Sequence, residues 1–126
     1  MIRQWEEFEA GPHVRSGERL HVSLSKKGVI LLNEKTFEAI GSPAAAALLF
    51  DKRNSSIGVR ATHIDRKSAF TVKSKPKARH RVIHASTFCR HYGIKIDRTI
   101  AFPTAEVDDD GTLILDLHSA TMIGRA

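Results

Sequence analysis

Cysteine occurs once in the sequence, at Cys89. An intrachain disulfide is therefore excluded, and a reducing, cytoplasmic setting is the expectation. Aromatic residues are also scarce, with six Phe, one Trp and one Tyr. Phe37, Phe50, Phe70, Phe88 and Phe102 fall at apolar positions of predicted elements, so they read as core. That leaves no exposed stacking platform of the kind a single-strand nucleic-acid binder displays. No apolar run approaches the roughly 20 residues of a membrane-spanning helix. The opening Met1-Ile2-Arg3-Gln4-Trp5-Glu6-Glu7 has acids where a signal peptide has an apolar stretch. Nucleophile-elbow, phosphate-loop and dinucleotide-binding glycine motifs are all missing. The expectation is a protein that is not an enzyme and holds no cofactor.

What is present is an ordinary soluble composition, 41% hydrophobic and 27% charged over 126 residues. Such a chain suits one small domain or two smaller units sharing a core. Lys plus Arg number 20 and Asp plus Glu 14, a net charge of +6 with histidine neutral. From Lys73 to Arg98 eight Lys or Arg residues stand against one acid, Asp97. From Thr99 to His118 there is no Lys or Arg, while Glu106, Asp108, Asp109, Asp110 and Asp116 are all acidic. A basic segment beside an acidic one points to a sided surface, with one face suited to a polyanion. Solvation and mutual neutralisation of the two segments is the competing explanation.

Residues 1–19 read as an arm without a periodic apolar face, with Trp5 and Phe8 able to pin it. Leu20, Val22 and Leu24 alternate with His21, Ser23 and Ser25, the period of a half-buried strand. Lys26-Lys27-Gly28 reads as a turn and Val29-Ile30-Leu31-Leu32 as a strand covered on both faces. Asn33 is an N-cap candidate for a short helix over 34–40, with Gly41 as its stop. Leu48-Leu49-Phe50, a polar turn and Ile57-Gly58-Val59 form a second hairpin, while Ala44 to Ala47 fits helix or strand equally. The order hairpin, helix, hairpin then returns. Phe70-Thr71-Val72, a basic turn and Val82-Ile83 precede a helix over 87–92 capped by Ser86 and stopped by Gly93. Ile100-Ala101-Phe102, Val107, the turn Asp108 to Gly111 and Leu113-Ile114-Leu115 complete it. This weak internal repeat divides the chain into an arm (1–19), a first half (20–61), a connector (62–68), a second half (69–117) and a tail (118–126).

The stretch from Ser25 to Arg60 resembles the SpoVT/AbrB family of swapped-hairpin, or looped-hinge, bacterial regulators. The likeness lies in Lys26-Lys27-Gly28-Val29-Ile30-Leu31-Leu32-Asn33, Phe37-Glu38-Ala39-Ile40-Gly41, Leu48-Leu49-Phe50-Asp51 and Ile57-Gly58-Val59. Two copies in one chain resemble the MraZ branch, in which a duplicated module forms an intrachain barrel. The resemblance implies a mostly β fold with two short helices, an AbrB-like barrel built from two hairpin-helix-hairpin halves. Where the family commonly has arginine after the turn glycine and proline before the helix, this chain has Val29 and Asn33. The second copy has Pro76 and Ala78 in its turn instead of glycine. In the family's DNA-binding members basic residues around the first turn contact DNA, which maps to Lys26 and Lys27.

The strongest candidate site is Lys73, Lys75, Lys77, Arg79 and Arg81, five cations in nine residues able to follow a phosphate backbone. On a continuous strand these positions share a parity, and so would make a basic ridge. A solvated hairpin without a ligand and a contact with an acidic protein are the alternatives. His80, His84, Cys89 and His91 offer metal-ligating chemistry. However, His80 and His84 lie about 13 Å apart along a strand, so no metal site is expected. The functional expectation is a DNA-binding, transcription-regulator-like protein using Lys26, Lys27, Lys73, Lys75, Lys77, Arg79 and Arg81 on the phosphates of duplex DNA. The alternative is a non-catalytic protein-interaction module with the same barrel. No membrane contact is expected, and the chain is open to homodimer formation.

Overall fold

Val22–Leu24 (β1) and Val29–Leu32 (β2) pair antiparallel, with Val22 opposite Leu32 and Leu24 opposite Ile30. All four of these side chains are buried, as the alternation in the sequence requires. The computed structural model describes residues 4–5, 19–75 and 79–123. Most of the expected arm, the tip of the second basic turn with Lys77, and residues 124–126 lie outside the described residues. Trp5, expected to pin the arm, is 84% exposed.

Asn33 caps the helix Glu34–Ala39 (α1), its side chain accepting from the Thr36 amide at 2.9 Å. The same carboxamide donates to the Arg19 carbonyl at 2.6 Å and accepts from the His21 amide at 3.2 Å. One polar side chain thus ties the helix start to the strand before it. Gly41, at φ +94°, ends the turn as its position predicts. The ambiguous alanines resolve as strand: Ala45–Asp51 (β3) pairs along its whole length with Ser56–Thr62 (β4). Ala45 and Ala46 are fully buried, where only small side chains fit against the neighbouring strand Phe70–Thr71 (β5).

The second half runs through Lys73–Ser74 (β6), Arg81–His84 (β7), the helix Ser86–His91 (α2), Ile100–Ala101 (β8), Glu106–Val107 (β9) and Leu113–Asp116 (β10). A 3-10 turn, Leu117–Ser119, and the edge strand Thr121–Met122 (β11) follow. The second helix departs from its expected cap. It begins at Ser86, one residue early, with Ala85 at the cap position and no side-chain cap bond. Its start is set by tertiary contact: the Ala85 amide donates to the Gly28 carbonyl at 2.8 Å.

Two antiparallel sheets result, with strand orders β11-β8-β1-β2-β7-β6 and β5-β3-β4-β10-β9. Neither sheet closes on itself. Each joins the two halves of the chain through an internal pair, β2 with β7 and β4 with β10. Their facing residues, Ile30 with Ile83, Val59 with Leu113 and Ile57 with Leu115, are wholly buried. The seam between the halves is therefore also the centre of the apolar core. The helices cross over as well: Phe50 of β3 meets Tyr92 at 4.8 Å, and Tyr92 meets Phe88 of α2 at 5.1 Å. Among the described residues, no helix is long and apolar enough to cross a membrane.

Candidate nucleic-acid interface

The first basic turn is built by its glycine. Gly28 takes φ +84° and donates to the Ser25 carbonyl at 2.9 Å, while Ser25 Oγ accepts from the Val29 amide. That closure leaves Lys26 and Lys27 exposed at the tip. A side chain at residue 28 is excluded by packing, since a Cβ there would lie 2.7 Å from Ser86 Cα. The turn is thus seated on the first residue of α2, in the other half of the chain.

The second basic turn reaches α1 through the side chains of Arg79 and Arg81, but its cations do not form the expected ridge. β6 covers only Lys73 and Ser74, and the chain has reversed before β7 starts at Arg81. The rungs are Lys73 with Val82 and Ser74 with Arg81, continued by the Lys75 amide donating to the His80 carbonyl at 3.3 Å. Directly opposed residues share a face. Lys73 and Lys75 therefore stand on the outer face of the sheet beside Val82, His84, Val29 and Leu31. Arg81 and Arg79 take the other parity and turn toward α1. The Arg81 guanidinium lies over the Phe37 ring at 4.5 Å, and Arg79 Nη1 is 3.5 Å from Glu34 Oε2. The chain reverses between Ser74 and Arg81, so a parity shared along the sequence does not carry across to one face.

Antiparallel pairing of β2 with β7 sends the two turns to opposite ends of the sheet. The four paired residues of β2 and β7 separate them, roughly 13 Å at the usual rise per residue. The sequence candidates thus divide into Lys26 with Lys27 beside α2, Lys73 with Lys75 on the outer sheet face, and Arg79 with Arg81 beside α1. Among the described residues, no carboxylate forms an ion pair with Lys26, Lys27, Lys73 or Lys75. Two cations that sequence reasoning passed over, Arg90 and Lys95, join Lys26 and Lys27 around a groove. Only the burial of Gly28 against Ser86 brings them together, so no local pattern could have paired them.

The acidic turn lies elsewhere. Asp108 Oδ1 accepts from the Asp110 and Thr112 amides at 3.1 and 3.0 Å, closing the β9–β10 turn. Asp110 also meets Arg60 Nη2 at 3.3 Å. Hydrogen bonding to the Asp108 side chain, then to Thr112, holds the Asp110 carboxyl below the ordinary carboxylate range. Both hairpin turns of the six-stranded sheet are basic, whereas the acidic turn belongs to the five-stranded one. Among the described residues no three His, Cys, Asp or Glu side chains are grouped to hold a metal ion. Cys89 is on the buried side of α2, and desolvation pushes its thiol above the ordinary value of 9.0. Set against protein-family models, curated proteins and solved structures, the chain matches none.

Proposed function

We propose that this chain is a non-catalytic, regulator-like protein that binds the phosphates of duplex DNA through the basic turns of its six-stranded sheet. The proposal includes the swapped-hairpin relation of its two halves. The observation that carries it is the pair of basic turns at the two ends of the β2–β7 seam, with Lys26, Lys27, Lys73 and Lys75 exposed and free of described carboxylate partners. Cations without an internal counter-charge are what a polyanion can engage, releasing its own counterions. Arg79 and Arg81 contribute less, because Glu34 and Phe37 already occupy them.

Fluorescence polarisation with duplex DNA across a salt series tests this reading. Each phosphate contact adds about 0.9 to the slope of log affinity against log salt, so K73A/K75A is expected to lower the slope by about 1.8. K26A/K27A lowers it by a similar amount, and the effects add because the sites are far apart. An unchanged slope in both double variants defeats the assignment. A parent with no affinity at low salt favours the protein-interaction alternative, for which the Val29, Leu31 and Val82 strip on the outer sheet face is the contact surface.

A further inference from the structure

The duplicated layout contains its own internal comparison. Each half's basic hairpin turn rests on the other half's helix, and the two junctions differ in one respect. At α1 the helix answers the cations above it, with Glu34 on Arg79 and the Phe37 ring under Arg81. At α2 it does not. The helix Ser86–His91 contains no acid, and its Arg90 faces the same space as Lys26 and Lys27. Lys95, just past the helix, completes a rim of four cations around a groove of about 320 Å³.

The floor of that groove is apolar. Leu24 and Cys89 are buried beneath it, and Ile94 and Ile96 are half-buried along one side. The Ile94 amide donates to the Cys89 carbonyl at 2.8 Å, fixing this wall to the helix end after Gly93 reverses at φ +67°. No carboxylate belongs to the lining. Four like charges gathered over a poorly polarisable floor repel one another, and the field they focus favours an anion entering the groove.

We infer that this groove is a binding site for a small amphipathic anion, an apolar chain ending in one carboxylate or phosphate head. A duplex phosphate alone leaves Ile94 and Ile96 uncovered, whereas a neutral apolar ligand leaves the rim unanswered. The volume is at the small end of ligand pockets, which run from roughly 300 to 1,000 Å³. That size suits a single medium-length chain. The head pairs with Arg90, Lys95, Lys26 and Lys27, and the chain covers Ile94, Ile96 and Leu24. This inference does not rest on DNA binding: the groove can fill in a chain that ignores DNA, and the reverse also holds.

The test is an NMR titration of the full chain with decanoate, decyl phosphate and decanol as probes, at fixed moderate salt. Decanoate or decyl phosphate is expected to shift the resonances of Ile94, Ile96, Cys89 and Ser86, and the tighter of the two identifies the preferred head. Decanol binds at least about tenfold more weakly, because it cannot answer the cationic rim. Arg90→Glu and Lys95→Glu each weaken the better anion at least about tenfold, while the off-site variant K73E/K75E leaves it unchanged. Should a helix substitution unfold the chain, K26E/K27E on the turn tip provides the same reading. Decanol binding as tightly as the anions overturns the inference. So do equal shifts from inorganic phosphate, or shifts confined to the outer sheet face.

Discussion

Gly28 and Gly41 both hold positive φ, +84° and +94°, yet alanine meets different surroundings at each. At Gly41 nothing lies within 4 Å of a new Cβ, so Gly41→Ala is expected to cost only backbone strain, about 1 kcal/mol. At Gly28 the new atom lies 2.7 Å from Ser86 Cα, which is backbone and cannot swing aside. Strain and overpacking together predict a loss of about 2–5 kcal/mol for Gly28→Ala. Urea melts of the two variants check the difference, and equal losses would show that the seat on α2 is dispensable. Asn33 is as exacting as Gly28 for the opposite reason, since its side chain is fully used. Asn33→Ala removes the cap and leaves the buried Thr36 amide without its acceptor, while the His21 amide keeps Thr36 Oγ1 at 2.9 Å, an expected loss of about 1–2 kcal/mol. Cys89 offers a chemical readout of the same packing. With its thiol buried and its ionisation pushed upward, it is expected to resist a disulfide reagent at pH 8 in the native protein and to react promptly once unfolded.

Among the elements, the short turns show how far local signals reach. In the β3–β4 turn Asp51 accepts from Asn54 Nδ2 at 2.7 Å and from the Asn54 amide at 3.2 Å. The side-chain bond from Asn54 is the largest influence lowering its pKa below the ordinary 3.8, followed by the amide bond. A carboxyl whose folded pKa is depressed stabilises above its unfolded pKa and loses that contribution as pH falls through the folded one. Asp51→Asn is therefore expected to be less stable than the parent at neutral pH, with the gap closing at acid pH below the ordinary carboxylate range. Thermal melts across that range check it, and a gap independent of pH would place the effect in the amide geometry. Turns of this kind, the Asn33 cap, the Gly41 and Gly93 stops and the period-two strands were all legible, because each is decided by residues within one or two turns of chain. The alanines of β3 were not, as small side chains carry no periodicity and only pairing with β4 and β5 makes them a strand. Nor was the start of α2, set by a carbonyl at residue 28, or the split of the basic residues between two faces, which depends on where the hairpin reverses. Candidate cations could be named from composition. Their grouping could not, since Lys26 and Arg90 come to line one groove only through the fold.

For the whole molecule, the interleaving of halves carries the strongest consequence. Residues from the first half alone form β1–β2 and β3–β4, and without the other half every one of these strands is unpaired on one side. Ile30 then loses Ile83, while Val59 and Ile57 lose Leu113 and Leu115, all residues with no exposure in the complete fold. Chains below about 40 residues seldom bury enough apolar surface to fold unaided, and a half of roughly that size gains little margin. A fragment spanning 20–62 is therefore expected to have no folded monomeric form. Its strand pattern, however, offers the same seam to any partner that supplies an equivalent strand, including a second copy of itself. Folding of the fragment is expected to depend on concentration, or on addition of the 69–117 fragment, and to appear by circular dichroism only as sedimentation detects a two-chain species. In the intact chain the shared seam is expected to make unfolding a single event. Ile83→Ala and Leu115→Ala, one in each sheet, are each expected to cost about 2–5 kcal/mol and to lower the same transition instead of splitting it. A 20–62 fragment that melts cooperatively as a monomer, or a variant that unfolds one sheet before the other, would mean that the halves are separate units lying side by side.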